Sequence, residues 1–255
     1  MTFASYPSLA DRPVVISGGA SGIGEAMVRA FAAQGARVGF VDIAAEAGEA
    51  LAAELTGLGQ TARFIRCDVT DIPAYQAAIG DLALAHGDAR VLVNNAAHDQ
   101  RHRWEDVTPD EWDRRMAVNL KHAFFAIQAV APGMAVAGGG AVINYGSISW
   151  MVMTPGLPLY ETAKAAIHGL TRSMARELGP SSIRVNSLVP GAVMTQRQLD
   201  LWISAEALAD IKQNQAIPEA LTPEDCARLA LFLAADDSAM ITGQHFLVDA
   251  GWANG

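Results

Sequence analysis

Apolar residues fall in short, nearly unbroken runs, separated by longer stretches where they recur at helical spacing. Val14-Val15-Ile16 is a β-branched run that stops at Gly18-Gly19, and a helical pattern follows from Gly24 to about Gln34. Further strands are predicted over Arg37–Val41, Ala62–Arg66, Arg90–Val93, Ala141–Tyr145, Ile183–Leu188 and Gln244–Val248. Helices are predicted between them over 44–58, 72–86, 109–136 and 158–178. Thr108-Pro109-Asp110-Glu111 marks the start of the third of these, with Thr108 as N-cap, Pro109 in the first helical position and Glu111 at capping-box spacing.

Strands that are apolar throughout, instead of alternating, belong to a parallel sheet covered on both faces. Regular alternation of strand and helix with short loops builds right-handed βαβ units. The pattern predicts an α/β, doubly wound Rossmann fold: a mostly or fully parallel sheet of about seven strands, with helices on both faces. A single domain over residues 1–255 accounts for the whole pattern. One longer insertion, about 192–221, follows the carboxyl end of the sixth strand. A lid over the ligand crevice is expected there.

Composition narrows the class. Hydrophobic residues make up 51% and charged residues 18%, enough for a large core and too apolar for disorder. The net charge of -9 argues against a nucleic-acid partner, which needs a basic patch. Cys67 and Cys226 lie far apart, with no metal-ligand spacing, and are expected as buried free thiols. No metal site is predicted. No run reaches the ~18 apolar residues of a membrane span, and Met1 to Arg12 lacks the basic-then-apolar pattern of a signal peptide. A cytoplasmic protein with no membrane partner is the expectation.

Candidate chemistry clusters at strand ends. Gly18, Gly22 and Gly24 form G-x-x-x-G-x-G between the first strand and the first helix, a variant of the dinucleotide fingerprint. Gly18 permits the tight turn, Gly22 lets backbone approach a pyrophosphate, and Gly24 lets helix pack on strand. Asp42 ends the second strand, where a carboxylate binds the adenosine ribose hydroxyls and repels a 2′-phosphate. Gly19 offers no basic side chain to such a phosphate. Both features favour NAD over NADP, with NADP as the second cofactor. Asp42 also reads as a simple N-cap before Ala44.

Tyr160 and Lys164 are four residues apart on one helix face, and Ser147 follows the fifth strand. Together with Asn119, the glycine turn, Asn94-Asn95-Ala96, Pro190-Gly191 and Asp249-Ala250-Gly251, they resemble the short-chain dehydrogenases/reductases along nearly the whole chain. Ala97 departs from the glycine frequent in that family. The resemblance implies that Tyr160 is the base, that Lys164 favours its phenolate, that Ser147 binds the substrate oxygen, and that Asn119 holds a relay water. It implies Ser21 and Ile23 at the pyrophosphate, Asp68 and Val69 at the adenine, and Asn94 and Ala96 at the ribose. Val193 and Thr195 are implied at the nicotinamide amide, with Tyr160, Lys164, Pro190 and Gly191 also bordering the cofactor. A tetramer or dimer is implied as well, and the helices at 109–136 and 158–178, apolar on more than one face, suit a subunit interface. Trp252 is expected there too.

The wording Gly146-Ser147-Ile148-Ser149-Trp150, Leu159-Tyr160-Glu161-Thr162-Ala163-Lys164 and Thr195-Gln196-Arg197-Gln198 resembles the bacterial pentose (D-xylose and L-arabinose) 1-dehydrogenases of that family. This implies hydride transfer from C1 of an aldose, a pentose or 6-deoxyhexose such as L-arabinose, D-xylose or L-fucose, giving an aldonolactone. Asp99 and Gln100 in the polar 98–102 loop are expected to bind sugar hydroxyls, with Trp150 along the ring and Gln196 and Arg197 at the lid. Each has a plainer reading, as solvated loop or packing residue. The rival activities are a 3-oxoacyl-carrier-protein reductase or a general ketone/alcohol oxidoreductase on the same fold. A dinucleotide-binding sensor without catalysis would require a broken tetrad, and all four positions are intact.

Overall fold

The computed structural model describes residues 4–253. Seven strands form one sheet: β1 (Pro13–Ser17), β2 (Arg37–Asp42), β3 (Ala62–Arg66), β4 (Val91–Asn94), β5 (Gly140–Tyr145), β6 (Ile183–Pro190) and β7 (His245–Val248). Their order is β3-β2-β1-β4-β5-β6-β7, and every pairing is parallel. This is the doubly wound Rossmann architecture. Each predicted strand is present, β3 with its predicted bounds and the others with one or both ends moved by at most two residues.

Side chains along each strand alternate between two cores. Val14, Ile16, Val38, Phe40, Val91 and Val93 face α1 (Gly22–Ala33), α2 (Ala45–Gly57) and α10 (Pro223–Ala234). Val15, Val41, Leu92 and Val142 face the other side, with α3 (Ile72–His86), α5 (His122–Val136) and α7 (Pro158–Leu178). Apolar side chains on both faces explain the unbroken apolar runs in the sequence.

Strand order reverses between β1 and β4, which opens a crevice at their carboxyl ends. Ser17 closes the seam: its Oγ accepts from the N–H groups of Asn95 and Ala96, both at 3.1 Å. Asn95 returns the contact, donating from Nδ2 to the carbonyls of Ser17 and Gly18 at 3.1 and 2.9 Å.

The helix expected over 109–136 is interrupted. α4 (Pro109–Met116) is capped by Thr108 as predicted, its side chain accepting from the Glu111 N–H at 3.2 Å. A π-helical turn then spans Ala117–Lys121 before α5 begins. The wider turn carries Asn119, and such turns are often found at functional sites. The 192–221 segment contains α8 (Gln196–Leu201) and α9 (Ala205–Asn214), and is pinned at its ends by a parallel bridge between Val193 and Leu221. The remaining short helix, α6 (Ser149–Val152), follows Ser147. Among the described residues, no helix is long and apolar enough to cross a membrane, and no cluster of three metal-binding side chains occurs. Cys67 and Cys226 are buried free thiols.

Candidate active site

The glycine turn is shaped for close backbone contact. Gly18 and Gly22 have φ of 67° and 57°, in the left-handed region. A Cβ on Gly24 would lie 1.7 Å from the Gly18 carbonyl oxygen, so only glycine lets α1 start this close to β1. Ser21 is the N-cap of α1 yet makes no side-chain cap bond. The first-turn N–H groups therefore keep their capacity for an anion, aided by the helix dipole. These features fit a dinucleotide pyrophosphate. Asp42 is fixed from two sides: Oδ2 accepts from the Ala20 N–H and Oδ1 from the Ala44 N–H, each at 3.0 Å. It is thus a strut for the glycine turn and closes the turn that leads into α2, whose N-cap is Ala44 and not Asp42 as the sequence also suggested. A side chain at Gly19 would meet the Cβ of buried Phe40 at 2.8 Å.

Other predicted cofactor residues divide. Ile23, Pro190, Gly191, Val193 and Thr195 border one cavity of about 580 Å3 that also holds Ser147 and Tyr160. Thr195 sits over Gly22, its Cγ2 3.2 Å from where a Cβ there would be. Asn94 does not turn its side chain toward the crevice. Its Nδ2 is buried in the sheet and donates to Asn144 Oδ1 at 2.9 Å, and Asn144 in turn donates to Thr171 on α7 at 3.1 Å. The amide of the next residue, Asn95, clamps the glycine turn. Exposed Asp68 has its Oδ1 engaged by the N–H and hydroxyl of Thr70, at 2.9 and 2.8 Å, while Val69 is buried beside it. Ala96 accepts a bond from His122 across 3.1 Å. Burial first, then the Lys164 charge, pushes the His122 imidazole down to about 3, so it is neutral and donates to that carbonyl.

The catalytic candidates converge at the carboxyl end of β5. Tyr160 and Lys164 share a face of α7, with Lys164 Nζ 5.6 Å from the Tyr160 ring centre. Lys164 is 2% exposed, and its ammonium donates to the Tyr145 carbonyl at 2.8 Å. Desolvation lowers it to about 8, with Asp99 pulling the other way. Desolvation also holds the Tyr160 phenol well above its ordinary value; Asp99 adds to this, and a hydrogen bond with Ser147 opposes it. These influences together favour the protonated phenol. Ser147 Oγ is itself steadied by the Ser149 N–H at 3.1 Å. Asn119, 1% exposed, uses its side chain on the neighbouring loop: Oδ1 accepts from the His98 N–H at 2.8 Å, and Nδ2 donates to the carbonyls of His98 and Arg115 at 3.1 and 3.0 Å.

The substrate candidates are sorted by geometry. Asp99 borders the cavity with Ser147 and Tyr160. Arg197 does not border it, but reaches Asp99 at 3.3 Å. Gln100 is exposed, and its carbonyl, not its side chain, is used, accepting from Arg115 at 2.8 Å. Gln196 is exposed and bonds Asp200 at 2.6 Å. Trp150 is turned away: α6 points Ser149 and Val152 into the cavity, so Trp150 lies on another face, edge-on to His168 with ring centres 5.1 Å apart. The indoles that do border the cavity are Trp202 and Trp252, with Gln198 and Asn214 beside them. Sequence reasoning placed Trp252 at a subunit interface and passed over the others. Trp202 and Asn214 carried no signal beyond membership of the insertion, and Gln198 stood only in the quoted Thr195–Gln198 wording.

A family model described as enoyl-(acyl carrier protein) reductase matches residues 18–253. The chain is 50% identical to the D-xylose 1-dehydrogenase of Caulobacter vibrioides over 252 residues, 99% of this chain and 100% of that one. The chain belongs to the short-chain dehydrogenase/reductase family. It shares 46% identity with a probable galactose dehydrogenase of Rhizobium meliloti, over 97% of each chain. Among solved structures, a blue fluorescent protein from a metagenomic library, in complex with NADPH, superposes with a TM-score of 0.89 at 32% identity, covering 96% of this chain and 99% of that one. As a short-chain dehydrogenase/reductase, the protein is an NAD(P)-dependent oxidoreductase acting on a CH–OH group.

Proposed function

We propose that the protein oxidises an aldose, a pentose or related sugar, at its anomeric carbon, passing hydride from C1 to NAD+ and releasing an aldonolactone. The observation that carries this reading is a set of polar side chains in a largely apolar cavity. Asp99, Gln198 and Asn214 border it together with Ser147 and Tyr160, and two indoles, Trp202 and Trp252, are part of its apolar lining. A polyol needs several fixed donors and acceptors plus an aromatic surface for its C–H face. An apolar ketone or an acyl carrier needs neither. The likeness to two sugar dehydrogenases points the same way.

When bound, a nicotinamide dinucleotide would supply the hydride acceptor. Gly18, Ser21, Gly22, Ile23, Gly24 and Asp42 would hold its adenosine and pyrophosphate end, and Val193 and Thr195 its nicotinamide amide. Tyr160 takes the proton of the C1 hydroxyl as the C1–O bond becomes a carbonyl. Ser147 donates to that oxygen, and Lys164 favours the phenolate by its charge. Asn119 fixes the loop that carries Asp99. The 192–221 segment acts as the lid, and the chain works as one domain. Trp112 and Phe124, 45% and 43% exposed on α4 and α5, favour a homo-oligomer.

The test is NADH formation from NAD+ with L-arabinose, D-xylose, L-fucose, D-galactose, L-rhamnose and D-glucose. A clear rate with one or two of these, with lactone trapped as the hydroxamate, is the expected result. No rate with any sugar, beside NADPH-driven reduction of an acetoacetyl thioester, would replace the reading with the oxoacyl reductase.

Cofactor choice follows from Asp42, and NAD+ is the expected preference. Replacing Asp42 by Ala removes a charge-assisted hydrogen bond to the ribose and the repulsion of a 2′-phosphate. The ratio of kcat/KM for NAD+ over NADP+ should fall by about a hundredfold, corresponding to roughly 2–3 kcal/mol for a bond to a charged group. An unchanged ratio would show that Asp42 serves only as the strut of the glycine turn.

A further inference from the structure

Asp99 stands on the loop after β4 and borders the same cavity as Tyr160. Its Oδ1 accepts from both Nε and Nη2 of Arg197, each at 3.3 Å. Its Oδ2 accepts from Gln198 Nε2. Arg197 and Gln198 lie in the first turn of α8, far along the chain. A second contact joins the same two segments: the Arg101 guanidinium lies 5.2 Å from the Trp202 ring centre. Loop 98–102 and α8 are therefore fastened at two points on the cavity wall.

We infer that Arg197 is a positioning residue for the reaction: by holding Asp99, it limits how far that carboxylate opposes ionisation of Tyr160. The inference rests on the assignment of Tyr160 as base. Several charged groups share the cavity with the phenol or stand beside it. Lys164 comes from its own helix, Asp99 and Arg101 from the β4 loop, and Asp210 from α9. Arg197 stands behind Asp99, and His98 lies beside both, its imidazole held low by desolvation, then by Arg197 and Arg115. His122 is neutral. Of these groups, Asp99 is the carboxylate that raises the proton affinity of both Tyr160 and Lys164. An unscreened carboxylate in this low-dielectric pocket would make the phenolate harder to form. A guanidinium in contact with it offsets that charge.

With α8 clasped to the loop, the Arg197 guanidinium offsets part of the Asp99 charge, and Asp99 raises the proton affinity of Tyr160 less than it would alone.

The experiment compares the full-length protein with Arg197→Gln, Arg197→Lys, Asp99→Asn and the Asp99→Asn/Arg197→Gln double variant. The first readout is kcat/KM against pH for NAD+-linked sugar oxidation. The second is NMR titration of isotope-labelled tyrosine ring carbons in NAD+-saturated protein, with Tyr160 assigned by its loss in Tyr160→Phe. Arg197→Gln should move the acid limb and the Tyr160 titration to higher pH by about half a unit to one unit. Arg197→Lys, which keeps the charge, should restore most of the wild-type profile. Asp99→Asn should move both readouts to lower pH, and Arg197→Gln should add no further shift in that background. A residue that merely ties loop to lid would change KM and thermal stability without moving the limb. Coincidence of the Arg197→Gln and wild-type titrations, or a shift that persists in the Asp99→Asn background, would overturn the inference. Absence of turnover with every sugar would instead refute the aldose reading, and the tyrosine titration would still decide the role of Arg197.

Discussion

Tyr160→Phe lowers kcat for sugar oxidation by about a thousandfold or more, while the fold and NAD+ binding survive. General acid–base groups contribute roughly 10²–10⁴ to rate. The variant removes only the hydroxyl, and the ring keeps its place on α7 beside Lys164. The hydroxyl is held in its neutral form by desolvation and by Asp99, so its loss does not unbalance a charge in the folded chain. Steady-state turnover, quenching of protein fluorescence by NADH and thermal melting separate the three quantities. A variant with a tenth of wild-type turnover would place the base elsewhere, and Lys164, brought down to about 8, would be the next candidate.

Gly24→Ala should be the most damaging single-methyl change in the chain. The new carbon would sit 1.7 Å from the Gly18 carbonyl oxygen and 2.7 Å from its carbon. Backbone stands on both sides of the clash, so no rotamer relieves it, and α1 must move off β1. The packing of α1 on α10 and the phosphate cradle shift with it. A loss of about 3 kcal/mol or more is expected for a clash of this kind, or a drop of roughly 10 °C in Tm for a chain of this size. NAD+ affinity should fall by more than about a hundredfold, since the N–H groups of the first turn would no longer converge. Gly80→Ala is the control. Gly80 lies inside α3 with nothing within 4 Å of a new Cβ, so alanine there should stabilise by about 1 kcal/mol. Equal melting of the two variants would refute the steric argument.

How much of this was legible beforehand depends on the range of the interaction. The strands, the cap at Thr108 and the glycine turn are written in local periodicity and turn chemistry, and all were found within a residue or two of their predicted ends. Ser147, Tyr160 and Lys164 were read from spacing and resemblance, and the sheet brings them to one end of β5. The π-turn at Ala117–Lys121 was not legible, because one extra residue in a helix leaves the apolar pattern almost unchanged. That the Asn94 side chain lies inside the sheet while that of Asn95 clamps the glycine turn depends on the pleat phase at the end of β4, which local sequence does not fix. Trp202 was missed and Trp150 chosen for a related reason. Which indole reaches the cavity depends on the short α6 turn and on contacts such as Asp99–Arg197 that join distant parts of the chain. No local signal encodes those.

Phe40 limits how this chain can change coenzyme. It is fully buried, with its ring 5.3 Å from that of Phe64, and it occupies the space any side chain at position 19 would need. An arginine introduced there to greet a 2′-phosphate would collide with Phe40 before reaching the ligand, even after Asp42 had been neutralised. Trimming Phe40 alone would hollow the core beside β2 and return nothing. The two changes are coupled neighbours whose effects do not add. Along an evolutionary path, the route to NADP specificity at this turn is therefore ordered: the aromatic must shrink first, in a chain with stability to spare, before a basic residue at 19 is of any use.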